Sequence, residues 1–144
     1  MRRPLALATL AFVITASAAD VLDPPLALWR VIRKSLSENE RFFDENAKDA
    51  LIPGGANHVR ALRGTVASIG WELHRAFIRV SMEPHSDAEV TLEVPATVPL
   101  NGIEAGKTVV FQGVARKFAR NPFMLTFEVD GNETFVELEK TAPK

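Results

Sequence analysis

The 144-residue chain contains no cysteine and no tyrosine. Lack of cysteine excludes disulfides, thiolate metal ligands, a thiol nucleophile and an acylated cysteine behind a leader. Stability must therefore come from packing. There is also no surplus of charge of one sign: 17 Lys and Arg stand against 18 Asp and Glu. A dedicated nucleic-acid binder usually carries a basic domain, and this chain does not. The longest apolar run, Leu5 to Ala16, is broken by Thr9 and Thr15. It falls short of the ~20 residues that span a bilayer. No ~34-residue period marks a helical repeat array. No Gly-x-Ser-x-Gly elbow, His-x-x-x-His pair or other nucleophile–base set is visible.

What is present is ordinary for a globular protein: 47% apolar and 24% charged residues. Residues 1–19 read as an export signal. Met1-Arg2-Arg3 supplies the positive start, Leu5 to Ala16 the apolar stretch, and Ser17-Ala18-Ala19 the small residues before a cut after Ala18 or Ala19. Cleavage leaves 15 basic and 18 acidic residues. The expected location is periplasmic or secreted, with no stable membrane span once the signal is removed.

Residues 20–56 read as a helical region. Asp23-Pro24-Pro25 suits a capped helix start. From Leu26 to Leu36, Trp29, Ile32 and Leu36 share one face with Leu28 beside them. Arg30, Arg33, Lys34 and Ser37 share another, read as a solvated face. Ser37-Glu38-Asn39-Glu40 fits a capping box. It predicts a second helix from Glu38 to about Leu51, with Phe43, Ala47, Ala50 and Leu51 as its stripe and Pro53-Gly54-Gly55 as its stop. One bent helix fits equally well.

Residues 57–139 read as strands, and 140–144 as a flexible tail. The first strand covers about Val59 to Ile69, with Gly64 marking a bulge or bend. The second covers Ala76 to Met82 and the third Ala88 to Val94, separated by the turn Pro84–Asp87. Pro95 to Lys107 is a connection rich in Pro and Gly. Between Gly106 and Asp130 lies a hairpin. Val109, Phe111, Gly113 and Ala115 share a face of its first strand, and Phe123, Leu125, Phe127 and Val129 share a face of its second. Pro122, which cannot donate a ladder hydrogen bond, belongs at the turn or at a strand start. Thr134 to Leu138 extends the sheet after the turn Asp130-Gly131-Asn132. The expected fold is α+β: an N-terminal helical segment followed by a five-stranded antiparallel β-barrel closed around the phenylalanines, without exposed edges.

Four segments carry a family resemblance: Ala47–Gly55, Arg63–Ser68, Gly106–Gly113 and, most specifically, Asn121-Pro122-Phe123-Met124-Leu125-Thr126-Phe127-Glu128-Val129. Together they resemble an uncharacterised bacterial secreted domain, an OB-like barrel of the tRNA-anti-like group that elsewhere follows tetratricopeptide repeats. The resemblance covers about residues 47 to 138. It implies the fold and brings no catalytic residues. Two departures stand out: Pro95 to Lys107 is too short for the helix that many such barrels place there, and the repeats are absent. The N-terminal helices are expected to pack on the barrel end in place of that helix.

The histidines His58, His74 and His85 sit in separate turns or strand ends without metal-ligand spacing. Glu89 and Glu93 alternate outward, as a solvent face does. Barrels of this type bind on the face of strands two and three, between the loop after strand one and the loop after strand four. The first loop is expected to hold Gly70, Trp71, His74 and Arg75. The second is expected to hold Arg116, Lys117, Arg120 and Asn121, with Arg79 extending the face along strand two. A tryptophan beside arginines is equipped for stacking and anion contact. The expected function is a non-catalytic exported binding or protein-interaction module without cofactor or metal. Its partner is either another exported protein or an anionic ligand. Oligonucleotide or anionic-glycan binding through Trp71, Arg75, Arg79, Arg116, Lys117 and Arg120 is the first alternative, and a hydrolase with an unrecognised site the second.

Overall fold

A computed structural model describes residues 23–140; the expected export signal and most of the tail, residues 141–144, lie outside them. Helix α1 (Pro24–Glu38) starts as its sequence predicts: Leu26 N–H donates to Asp23 Oδ1 at 3.3 Å, and the prolines fill the first positions, where no intrahelical donor is needed. Its buried residues are Ala27, Leu28, Trp29, Ile32 and Leu36.

Seven strands follow: β1 (Leu51–Ile52), β2 (Leu62–Glu72), β3 (Arg75–Ser81), β4 (Val90–Pro95), β5 (Thr108–Arg120), β6 (Phe123–Glu128) and β7 (Phe135–Leu138). They form one sheet in the order β1-β5-β2-β3-β4-β6, with β7 on β5 and a further β5–β6 pairing. The ladder path β5-β2-β3-β4-β6 thus returns to β5. All pairings are antiparallel except β4–β6, which runs parallel. The fold is α+β, as expected. Besides the five predicted strands, β7 is the expected extension of the sheet over Thr134–Leu138, and β1 is unforeseen; they continue the rows of β6 and β2 along the thirteen-residue β5.

The predicted second helix over Glu38–Leu51 is replaced. Ser37 stays inside α1, Asn39 caps its end with φ −124°, and only a π-helical turn, Phe43–Ala47, follows. Sheet pairing wins the next residues. Asp49 N–H donates to the Ala115 carbonyl at 2.7 Å, and Ala115 N–H to the Ala50 carbonyl at 3.0 Å. This ladder satisfies backbone groups of β5 that a helix over Ala50 and Leu51 would leave unpaired. The apolar residues of the misread stripe are still used: Phe43 lies against Phe118, ring centroids 5.8 Å apart.

Phe111, Leu125 and Phe127 are fully buried, and the rings of Phe111 and Phe127 meet edge to face at 5.7 Å. Helix α1 joins the same cluster through Leu28, Trp29, Ile32 and Leu36. Trp29 meets Phe123 at 6.0 Å in a T-shaped contact. The basic side of the helix is only partly solvated, contrary to expectation. Arg30 pairs with Glu83 at 2.9 Å. Arg33 makes a two-pronged bond to Glu89 at 2.7 and 2.8 Å, with its guanidinium 4.9 Å from the Phe123 ring centroid. The hydrogen bonds Arg33 donates to the Glu89 carboxylate outweigh burial and raise the Arg33 pKa above its ordinary value. A raised base stabilises the fold below its own pKa and ceases to only above it, so Arg33 adds no pH sensitivity near neutrality.

Two glycines bring the strands close. A Cβ on Gly113 would sit 2.7 Å from the Phe127 Cβ, and one on Gly64 would meet Val80 Cγ1 and lie 2.8 Å from the Ser81 carbonyl oxygen. Gly113→Ala is expected to cost about 1–3 kcal/mol through overpacking. Gly70→Ala, where nothing lies within 4 Å, is expected to be near neutral; urea denaturation of both variants checks the contrast. A chain beginning at Asn57 loses Trp29, Ile32 and Leu36 from the core. It should unfold at lower denaturant and bind a hydrophobic dye, and unchanged stability would show that the sheet needs no helix.

Candidate binding surface on the β2–β3 hairpin

The β2–β3 hairpin closes through two residues, Leu73 and His74, with φ of 47° and 67°. Positive φ at both positions is the type I′ geometry, which matches strand twist and favours Asn-Gly. Leucine in the left-handed region is disfavoured by roughly 1–2 kcal/mol. Leu73 is nevertheless 87% exposed, and Trp71 62%. These are the two large apolar side chains that the described residues leave most open.

Trp71 therefore lies on strand β2 and not in a loop, as the sequence led one to expect. The strand runs three residues further than predicted because the turn after it is so short. Arg75 and Arg79 lie on β3, with Arg75 opposite Glu72 and Arg79 opposite Ser68. A shallow groove of 370 Å³ crosses the hairpin. It is lined by Ser68, Gly70, Trp71, Phe77, Arg79 and Thr91 among others. This is the face of the second and third strands of the predicted five.

The other nominated cations do not converge on the groove. Arg116, Lys117 and Arg120 belong to β5, which continues to Arg120, so the connection to β6 is only Asn121-Pro122. Arg116 holds Asp49 at 2.6 Å and Glu128 at 3.1 Å. Burial opposes its charge, but hydrogen bonds to those carboxylates outweigh burial and raise its pKa. Arg120 reaches the Leu36 carbonyl at 3.3 Å and Glu40 at 3.3 Å, tying β5 to the end of α1. Arg75 and Lys117 share Glu93, at 3.3 and 3.6 Å. Glu93 and Glu89 are correspondingly shielded, their side chains 17% and 18% exposed, instead of forming the solvated face predicted.

Of the five nominated cations, Arg79 alone makes no ion pair with a described residue. The exposed Glu72, which also lines the groove, makes none either. Residues that the sequence did not single out, Phe77, Ser68, Thr91 and Leu73, complete the surface. Their signal was the alternation that continues from Ile69 through Trp71 to Leu73, cut by a turn lacking glycine. A second hollow of 240 Å³ lies beside Gly64, where Arg63 bridges Asp23 and Glu139; it joins α1 to the sheet. Among the described residues no three His, Asp or Glu side chains gather as a metal site would require. No described helix is long and apolar enough to cross a membrane.

With Trp29 buried and Trp71 open, the two indoles should separate spectroscopically. At dilutions where the chain is monomeric, Trp71→Phe is expected to shift emission to the blue and remove most quenching by iodide, while leaving stability unchanged. Comparison with protein-family models, curated proteins and solved structures returned no match for this chain.

Proposed function

We propose that this chain is an exported, non-catalytic interaction module that holds its partner on the hairpin face of an OB-like barrel. The barrel reading is supported by a ladder path that returns on itself with β4 and β6 parallel. The export reading is supported by the tripartite pattern of residues 1–19. The observation that carries the binding reading is one short hairpin that leaves Trp71 exposed on one face and, on the other, Arg79 without an ion pair to any described residue. Elsewhere among the described residues large apolar side chains are covered, and the other nominated cations are matched to carboxylates. At this hairpin both are left open.

Binding of an anionic polymer draws less support. Such ligands need several free cations along a groove. Arg75, Arg116, Lys117 and Arg120 are each occupied by an acid. The resemblance to tRNA-anti-like domains bears on the fold, and no cofactor is required by this reading.

A photoreactive amino acid at position 71, with another at Glu45 as control, tests the proposal in the exported fraction of an expressing cell. Adducts are expected from position 71 and not from position 45. Equal labelling from both, or none from 71, would refute the surface. Heparin at low salt is expected not to retain the chain; firm retention lost in Arg79→Ala would favour the anionic-ligand alternative instead.

A further inference from the structure

We infer that the partner held by this hairpin is a second copy of the same chain, joined through the free edge of β2. The inference rests on the reading of the hairpin as the binding surface. Strand β2 pairs with β5 only from Leu62 to Thr65, and Val66 then exchanges bonds with Lys107 and Gly106. From Ser68 to Glu72 it has β3 on one side and no described strand on the other. That stretch contains neither proline nor lysine, the usual guards of an edge.

The amides that face outward can be identified. Glu89 N–H donates to the Val80 carbonyl, so Val80 turns toward β4. Alternation then turns Arg79, Phe77 and Arg75 toward β2. Their partners Ser68, Gly70 and Glu72 are spent on β3. Ile69 and Trp71 are left with N–H and C=O groups directed at the open edge.

An antiparallel two-fold pairing centred on Gly70 uses all four of these groups in each copy. Ile69 of one copy then lies opposite Trp71 of the second copy, and each pair exchanges two hydrogen bonds. Residues directly opposite share a face. The exposed indole therefore covers the half-buried Ile69 of the second copy, and Leu73 falls opposite Ala67. On the other face Glu72 of the second copy falls opposite Ser68, whose neighbour on β3 is Arg79. Arg79 and Glu72, which make no ion pair with a described residue of their own chain, are thereby brought across one short serine. Gly70 meets Gly70 at the axis, with no side chain to hold the strands apart. A contact in which one patch complements itself is what a two-fold interface requires.

Sedimentation of the full chain across micromolar concentrations is expected to show a dimer. Glu72→Arg and Arg79→Glu should each weaken it about tenfold or more, and the double exchange should restore it. Because no native cysteine interferes, Gly70→Cys gives a direct report. Facing residues of a non-hydrogen-bonded antiparallel pair lie ~4.5 Å apart between Cα atoms, within disulfide range. Under mild oxidation Gly70→Cys should cross-link rapidly and Ser68→Cys should not, since position 68 faces 72. Monomers at every concentration would overturn the inference. So would equal cross-linking of the two cysteine variants. If the chain is monomeric yet position 71 labels a different protein, self-pairing fails while the binding surface stands. If position 71 labels nothing, both fail.

Discussion

The architecture depends on one strand carrying two rows of partners. β5 is thirteen residues long, and its backbone is paired on one side by β1 and β2 and on the other by β7 and β6. A strand that long cannot stay flat while its neighbours turn a corner. The strain is relieved by a register shift between Ala115 and Lys117 and by Gly113, which lets Phe127 approach the backbone. A matching shift between Val66 and Ser68 bends β2, near Gly64. Bulges and glycines at these bends allow the ladder path to return on itself. Phe111 and Phe127 are brought into contact across it as a result.

Helix α1 packs on the sheet with apolar residues inside and cations around. Trp29, Ile32 and Leu36 enter the core. Arg30 and Arg33 reach acids of the β3–β4 connection, while Arg63 and Arg120 reach back from the sheet to Asp23 and to the Leu36 carbonyl. Each exposed pair is worth little by itself, typically under 1 kcal/mol. Their value lies in being placed around the rim of a buried apolar contact, where they fix the helix in one orientation. The same economy explains why Arg116, Arg120 and Lys117 are poor ligand-binding candidates: their charges are already used to hold segments together.

Much of this was legible because burial imposes period. Alternation located β3, β4, β5 and β6, and the spacing of Trp29, Ile32 and Leu36 located α1 and its inward face. Asp23-Pro24-Pro25 marked its start correctly because capping is local chemistry. Failures came where a distant partner decided the outcome. Phe43, Ala47 and Ala50 have helical spacing, yet Ala50 is captured by Ala115, which is remote in the chain. Leu73-His74 lacks the glycine or asparagine that announces a two-residue turn, so Trp71 was assigned to a loop. The carboxylates that neutralise the arginines, Asp49 and Glu128 for Arg116 and Glu40 for Arg120, carried no spacing signal at all.

The turn chemistry bears directly on function. A bulky residue in the left-handed region lowers stability, and an exposed tryptophan two residues away adds nothing to the core that could offset it. Gly70, with open space where a side chain would be, forgoes packing as well. Left-handed backbone also occurs at Asp49, Asn57, His58 and His85, but only in this hairpin does it meet exposed large apolar side chains among the described residues; the β5–β6 hairpin, of similar reach, has Phe118 and Phe123 packed together at 5.1 Å under α1. Strain and apolar exposure that coincide in one element, where the other large apolar side chains of the described residues are largely covered, are expected where stability has been exchanged for contact with something outside the fold. The unspent amides of Ile69 and Trp71 lie along the same element, so the backbone and the side chains of the hairpin point to one docking direction, along the β2 edge.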